Sequence, residues 1–359
     1  MQAPAARYVM RTEKENSVGS RIAILGSGAN GAALGADMIN AGRDVTFIEQ
    51  WPEHVEAMRR NGLRVTDAAT GDVIVTPVTA HHLCEVAELR AQFDLVYMVL
   101  KAYDTRWGAE LIKPLLAPDG VVINLQNGMS LDDLESILGP EKTLGGVIEM
   151  GSNLRGPGDV ERHVPVSKSW FAVGSQDPNA AAKAKDAAAA LRAAGTVAVI
   201  PEIRQAKWMK LVLNASQLVP SGVLDMSIVD AAQDPSTREL MFDAGMEALA
   251  AAAERSIPIT PIMGLSDVDP NDPEQFMNDI FELLLNGFAL PTTKATMLYD
   301  WNHGRRSEVD QINGLVVDVL GAARAPVNAA ATEIAHRIES GDLMPGPHNL
   351  ATFRALAGR

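Results

Sequence analysis

The sequence predicts an α/β fold, a βαβ series carrying a parallel sheet followed by a helical remainder, on three observations. Short β-branched runs alternate with helical stretches from Arg21 to Pro201, a glycine-rich turn joins the first run to the first helical stretch, and strand signals nearly vanish after Pro201. Continuous apolar runs suit strands buried on both faces, the condition of a parallel sheet covered by helices.

In chain order, residues 1–20 hold Arg7, Arg11, Glu13, Lys14 and Glu15 but no apolar stretch, so they read as a flexible N-terminal extension and not a signal peptide. Runs 22–25, 45–48, 95–100 and 121–123 are the expected strands. Stretches 32–40 and 105–116 are the expected helices between them, closed by Gly42 and by Pro118-Asp119-Gly120. Runs 63–66 and 73–76 flank Thr70-Gly71-Asp72 and are expected to add a hairpin to the same sheet. Glycine-rich strand pieces follow over 145–174, then an alanine-rich helix over 179–194 ended by Gly195, and a last strand over 197–200. Beyond Pro201 helices are expected over 205–218, 236–255, 274–285, 307–322 and 327–339. The chain's 359 residues suit two domains, placed at 21–201 and 202–359.

Charge narrows the partners. With 31 basic against 45 acidic side chains, the net charge of −14 repels phosphate backbones and anionic lipids, so neither nucleic acid nor membrane is an expected partner. A single cysteine, Cys84, forms no internal disulfide, and no run of about 18 apolar residues is present, which together suggest a cytoplasmic protein.

The turn Gly26-Ser27-Gly28-Ala29-Asn30-Gly31 follows an expected strand and opens an expected helix. In that context the first glycine permits the tight turn, the second lets backbone N–H groups approach a pyrophosphate, and the third lets helix and strand pack closely. Gly35, one helical turn on, aids the same packing. Glu49 ends the second strand, where a dinucleotide fold places the carboxylate that accepts the adenosine ribose hydroxyls. Its charge would repel the 2′-phosphate of NADP, so NAD is the expected cofactor and NADP the alternative.

Further strings converge on one family. Leu100-Lys101-Ala102-Tyr103-Asp104-Thr105 and Leu125-Gln126-Asn127-Gly128-Met129 follow expected strands, and Lys210-Leu211 with Asn214-Ala215 opens the helical part. Thr296-Met297-Leu298-Tyr299-Asp300 and the stretch from Arg305 to Gly314, containing Ser307-Glu308-Val309-Asp310, complete the set. In this order, over about 21–339, they resemble the ketopantoate reductases (2-dehydropantoate 2-reductases). The resemblance implies a Rossmann domain, a helical domain and a substrate cleft between them. It implies Lys210 as the catalytic acid/base, a role that suits an ammonium donating a proton to a carbonyl oxygen as hydride arrives. It further implies Glu308 as a second catalytic and substrate-binding group, Asn127 at nicotinamide and substrate, Asn214 and Thr296 on the substrate, and Lys101 near the adenosine half. Lys210 and Asn214, four residues apart, share one helix face.

The chain also departs from the family's pattern. Leu218 stands where a second asparagine is usual, Gln50 where a basic residue often follows the second strand, and 258–291 is long, with the acidic run Asp267, Asp269, Asp272 and Glu274. Leu218 makes the expected pocket more apolar and favours a branched or aromatic side chain over pantoate. His81, His82 and Cys84 lack the spacing of a metal site, so no metal is expected, and Cys84 reads as buried or incidental. Trp208, Phe281, Phe288 and Trp301 read as packing residues. The expected function is an NAD(H)-dependent oxidoreductase interconverting a 2-oxo acid and a 2-hydroxy acid, with a homodimer as an option. The rivals are a dehydrogenase of the 3-hydroxyacyl-CoA type and a dinucleotide sensor without catalysis.

Overall fold

Ile22, Ile24 and Leu25 are fully enclosed in β2 (Arg21–Leu25) because the strand has parallel neighbours on both sides, β3 (Asp44–Glu49) and β7 (Phe93–Met98). The computed structural model describes residues 7–8, 19–90, 92–285 and 290–359. By packing the chain divides into two units, Met1–Gln126 with Ser130–Ile203, and Asn127–Met129 with Arg204–Arg359.

In the first unit, β6 (Thr79–His82), β8 (Leu116–Asn124), β9 (Thr143–Glu149), β12 (Trp170–Gly174) and β13 (Thr196–Val199) complete an eight-stranded sheet of order β13-β12-β9-β8-β7-β2-β3-β6. Every pairing is parallel except that of β9 with β12. Helices α1 (Ala29–Asn40), α2 (Pro52–Asn61), α3 (Thr105–Ile112), α4 (Leu131–Leu138) and α5 (Pro178–Leu191) connect the strands. α5 starts where Asp177 accepts hydrogen bonds from the Asn179 and Ala180 amides, and its alanines pack into the core.

The expected hairpin forms but belongs elsewhere. β4 (Leu63–Asp67) and β5 (Val73–Thr76) pair antiparallel within a second sheet that also holds β1 (Arg7–Tyr8), β10 (Ser152–Gly156) and β11 (Asp159–Arg162), in the order β1-β5-β4-β11-β10. The physical reason is that β6 occupies the edge of β3 that the hairpin would have needed. Of the extension, Arg7–Tyr8 forms β1, parallel to β5; the remainder of 1–18 lies outside the described residues, as does Phe288. Arg162 ties this second sheet to α1: its buried guanidinium pairs with Asp37 and donates to the carbonyls of Val164 (2.8 Å) and Ala194 (3.1 Å).

The second unit is helical: α6 (Ile203–Val223), α7 (Ile228–Gln233), α8 (Pro235–Glu254), α9 (Pro273–Leu283), α10 (Thr296–Asn302), α11 (Leu315–Leu320), α12 (Pro326–Glu339) and α13 (Asn349–Leu356). The continuous helix expected over 307–322 is interrupted, because Asp310–Gly314 is a π-helical turn that leads into α11. Within it Asn313 donates to the Ala215 carbonyl on α6 (3.1 Å) and to Asn328 Oδ1 on α12 (2.9 Å), so the wide turn delivers an amide to two helices. In the acidic loop, Asp272 caps α9 through the Gln275 amide. Trp208, Phe281 and Trp301 are buried, and among the described residues no helix is long and apolar enough to cross a membrane.

Candidate active site

The candidate site residues fall into two groups of side chains, one in each unit. The first is built on the β2–α1 turn. Gly26 adopts a left-handed φ of 92°, open to glycine and costly to other residues, and its amide donates to the Ile48 carbonyl of β3 (2.9 Å). A side chain on Gly31 would strike the Gly26 carbonyl, and one on Gly35 the Phe47 ring, so both glycines are needed for close packing. Gly28 is different: a Cβ there would meet nothing within 4 Å. Gly28 caps α1, whose N-terminus has no side-chain cap and no acidic residue in its first turn. An uncapped helix N-terminus beneath open space fits the pyrophosphate of a dinucleotide.

Glu49 is buried beside this turn. One carboxylate oxygen accepts from the Ser27 amide (2.6 Å) and hydroxyl (3.0 Å), the other from the Gln50 (2.8 Å) and Trp51 (3.0 Å) amides. The carboxylate thus stitches the turn to the end of β3. Lys101 follows β7, and Gln126 organises that neighbourhood by donating to the carbonyls of Leu100 and Lys101 (3.0 Å each) while accepting from Asn124 (2.8 Å) and Thr105 (3.1 Å).

The second group lies on α6. Every residue from 206 to 224 is buried, yet Lys207, Lys210, Asn214, Gln217 and Ser221 recur every three or four positions and form one polar stripe. Ser221 satisfies itself on the Gln217 carbonyl (2.6 Å). Asn214 is bonded to Asn127, and Gln217 Oε1 has no partner. Lys210 is 8% exposed, and Lys207 only 2%. Burial, helped by Arg204 and opposed by Glu308, lowers the Lys207 ammonium to about 7. Glu308 is itself 5% exposed. Just before it, Ser307 is fixed by Glu339, which accepts from its amide (2.8 Å) and hydroxyl (2.6 Å).

Asn127 belongs with this group. Asn214 Nδ2 donates to Asn127 Oδ1 at 3.0 Å, and Gly128, at φ 72°, lies so near Gln311 that a Cβ would sit 2.9 Å from its carbonyl oxygen. Asn127, Lys210, Asn214 and Glu308 therefore share one unit with Thr296, half-buried at the first turn of α10, whereas the glycine turn, Glu49 and Lys101 share the other. Cys84 is exposed, the second of the two expected alternatives, on the solvent side of a short 3-10 turn after β6. His81 lies 3.7 Å from Glu85 and His82 3.0 Å from Glu56, and among the described residues no three metal-ligating side chains cluster.

Sequence reasoning missed Lys207, Gln126, Gln217 and Asn313. Polar residues at helical spacing in an otherwise apolar α6 were the readable signal for two of them. Gln217 is notable because its buried Oε1 has no partner and it adjoins Leu218, the position where an amide is usual in the family the sequence resembles.

Comparison with known proteins agrees with this architecture. The family model described as "Ketopantoate reductase PanE/ApbA" matches residues 22–175, and its C-terminal counterpart, "Ketopantoate reductase PanE/ApbA C terminal", matches 202–339. The chain is 28% identical to the 2-dehydropantoate 2-reductase of Archaeoglobus fulgidus over 325 residues, 89% of this chain and 98% of the relative. Among solved structures it is similar to a PanE/ApbA family ketopantoate reductase from Ralstonia eutropha, with TM-score 0.73, 26% identity and coverage of 89% and 99% of the two chains. A D-mandelate dehydrogenase solved with NADH and anilino(oxo)acetate shares the fold at TM-score 0.78 and 21% identity, covering 89% of this chain and 98% of that one.

Proposed function

The chain belongs to the ketopantoate reductase family and is by that membership an oxidoreductase, and from this premise we propose that it interconverts a 2-oxo acid and a 2-hydroxy acid with NAD(H). The observation that carries the reading is the buried stripe on α6, where Lys210 stands one helical turn from Asn214, itself bonded to Asn127. A bound nicotinamide supplies or removes the hydride. Lys210 Nζ gives a proton to the oxygen that becomes the hydroxyl, and takes it back in the reverse direction. Held in a desolvated position, the same ammonium stabilises negative charge building on that oxygen. Asn127 and Asn214 orient the substrate through amide hydrogen bonds, Thr296 donates its hydroxyl to the substrate carboxylate, and Glu308 accepts from a substrate hydroxyl and offsets the charge of the lysines.

The residues at the β2–α1 turn support NAD over NADP. Glu49 brings a negative charge to the end of β3, and Gln50 supplies no cation to receive a 2′-phosphate. The test is to follow NADH and NADPH oxidation with a panel of 2-oxo acids, and the reverse reaction with branched, aromatic and polyhydroxylated 2-hydroxy acids. Turnover of at least one acid with NADH is expected. Tight dinucleotide binding without turnover of any acid would leave a sensor as the better reading.

A further inference from the structure

His54 lies outside every role assigned above, yet it is completely buried and both its ring nitrogens are engaged. It sits in the first turn of α2. Its Nδ1 accepts the Gly158 amide at 2.8 Å, and its Nε2 lies 2.9 Å from the Ser27 carbonyl. A backbone N–H can only donate and a carbonyl can only accept. The ring must therefore be neutral, with its single proton on Nε2, and it donates that proton's hydrogen bond to Ser27. Burial favours the same state by pushing the imidazole below its ordinary value, against an opposing pull from Glu49. Trp51 stacks on the ring, centroids 5.7 Å apart and planes 12° from parallel, and holds its orientation.

Ser27 is consequently held at three points. Its amide and hydroxyl bind Glu49, and its carbonyl binds His54. The peptide after Ser27 leads directly into Gly28 and the uncapped N-terminus of α1, so the Ser27 carbonyl fixes the plane of the peptide whose N–H begins the anion-binding turn. We infer that His54 is a positioning residue for the dinucleotide: through the Ser27 carbonyl it pre-orients the amides of the β2–α1 turn toward the pyrophosphate. Preorganisation of this kind spares the ligand the ordering of a mobile loop. Gly158, at φ 71° in the β10–β11 hairpin, makes the anchor reach into the second sheet: its amide holds the ring, and its carbonyl accepts the Arg64 amide of β4 at 2.9 Å. The second sheet thereby supports the cofactor turn through one side chain.

This inference rests on the proposed use of a dinucleotide, and the experiment separates the two. A glutamine amide can place its nitrogen near the Nε2 position and an asparagine amide can place its oxygen near Nδ1. His54→Gln therefore keeps the donor to Ser27 and gives up Gly158, while His54→Asn does the reverse. NADH affinity is measured by fluorescence titration for both variants and the unaltered chain, with thermal melting as the control for folding. The expected result is near-parental NADH affinity for His54→Gln and a loss of about tenfold or more for His54→Asn, about 1.4 kcal/mol, at comparable melting temperatures. Equal losses in both variants, or a greater loss in His54→Gln, would mean that the ring merely packs the hairpin and would overturn the inference. Absence of NADH binding by the unaltered chain would overturn the dinucleotide reading and this inference with it. Should His54→Asn melt far below the parent, His54→Gln alone still decides, since a tenfold loss in that folded variant contradicts the proposed donor.

Discussion

Asn214 donates from Nδ2 to Oδ1 of Asn127 across 3.0 Å, joining residues 87 positions apart in the chain. The bond commits the Asn127 oxygen, so what Asn127 offers a ligand is its NH2 donor, suited to a carbonyl or carboxylate oxygen. Asn214→Leu should then raise KM for the acid several-fold and also lower kcat, because an unheld Asn127 amide rotates. Steady-state kinetics at saturating NADH reads this out. An unchanged KM would remove Asn127 from the substrate's surroundings.

Lys210→Ala should lower kcat by roughly 10² to 10⁴, the range of general acid–base catalysis, and leave NADH affinity nearly unaltered. Lys210 and the β2–α1 turn belong to different units. Turnover near the parental rate would shift the proton-transfer role to another group, with Lys207 the first to examine.

The parallel sheet was legible because runs such as 95–100 contain only apolar residues and Tyr97, whose hydroxyl is satisfied by the Ala187 carbonyl (2.7 Å). The hairpin's destination was not, since alternating residues at 63–66 and 73–76 fix a pairing but not the sheet that receives it. β6 left little trace either, because Thr79-Ala80-His81-His82 lacks an apolar run and owes its extended form to pairing with β3. Within the candidate site, Lys210, Asn214 and Glu308 came from motif resemblance, whereas His54 and Gln126 act through backbone carbonyls that no side-chain pattern marks. Lys207 was not legible because lysine is rarely buried, and only the burial of every residue from 206 to 224 reveals it.

Lys207 supplies a pH-dependent prediction. Its ammonium titrates near 7 in the folded chain and near 10.5 when unfolded. Between these values the unfolded chain holds more protons, so the contribution of this group to stability rises with pH. Lys207→Met removes that dependence. The melting temperature of the variant minus that of the parent should therefore be most positive near pH 7 and shrink toward pH 9.5. A difference that grows over this interval would contradict a desolvated Lys207.

Arg162 makes the clearest stability prediction. Breaking a buried ion pair from one side leaves an uncompensated charge, at a cost of about 3–5 kcal/mol. Arg162→Met strands Asp37, whose carboxyl burial already pushes above its usual range against the pull of Arg162, and removes donors from the Val164 and Ala194 carbonyls. Urea unfolding should show a loss of this size, and replacing Asp37 with Asn in the same chain should recover part of it. A loss below about 1 kcal/mol would place the pair among exposed ion pairs in effect.

Substrate choice turns on Leu218, which lies four residues beyond Asn214 on α6 and is almost fully buried. A leucine there cannot bond a side-chain hydroxyl, and one unsatisfied group costs about 1–3 kcal/mol, up to roughly two orders of magnitude in relative efficiency. The unaltered protein should accordingly prefer a 2-hydroxy acid with a branched or aromatic side chain to pantoate. Leu218→Asn should narrow or invert that preference by restoring an amide beside the partnerless Oε1 of Gln217. The comparison is one of kcat/KM for pantoate and for a branched, hydroxyl-free analogue in both proteins. If pantoate is already the better substrate of the unaltered chain, the acceptor for its hydroxyl is supplied elsewhere on the α6 stripe, and Gln217→Leu rather than Leu218→Asn becomes the substitution that changes specificity.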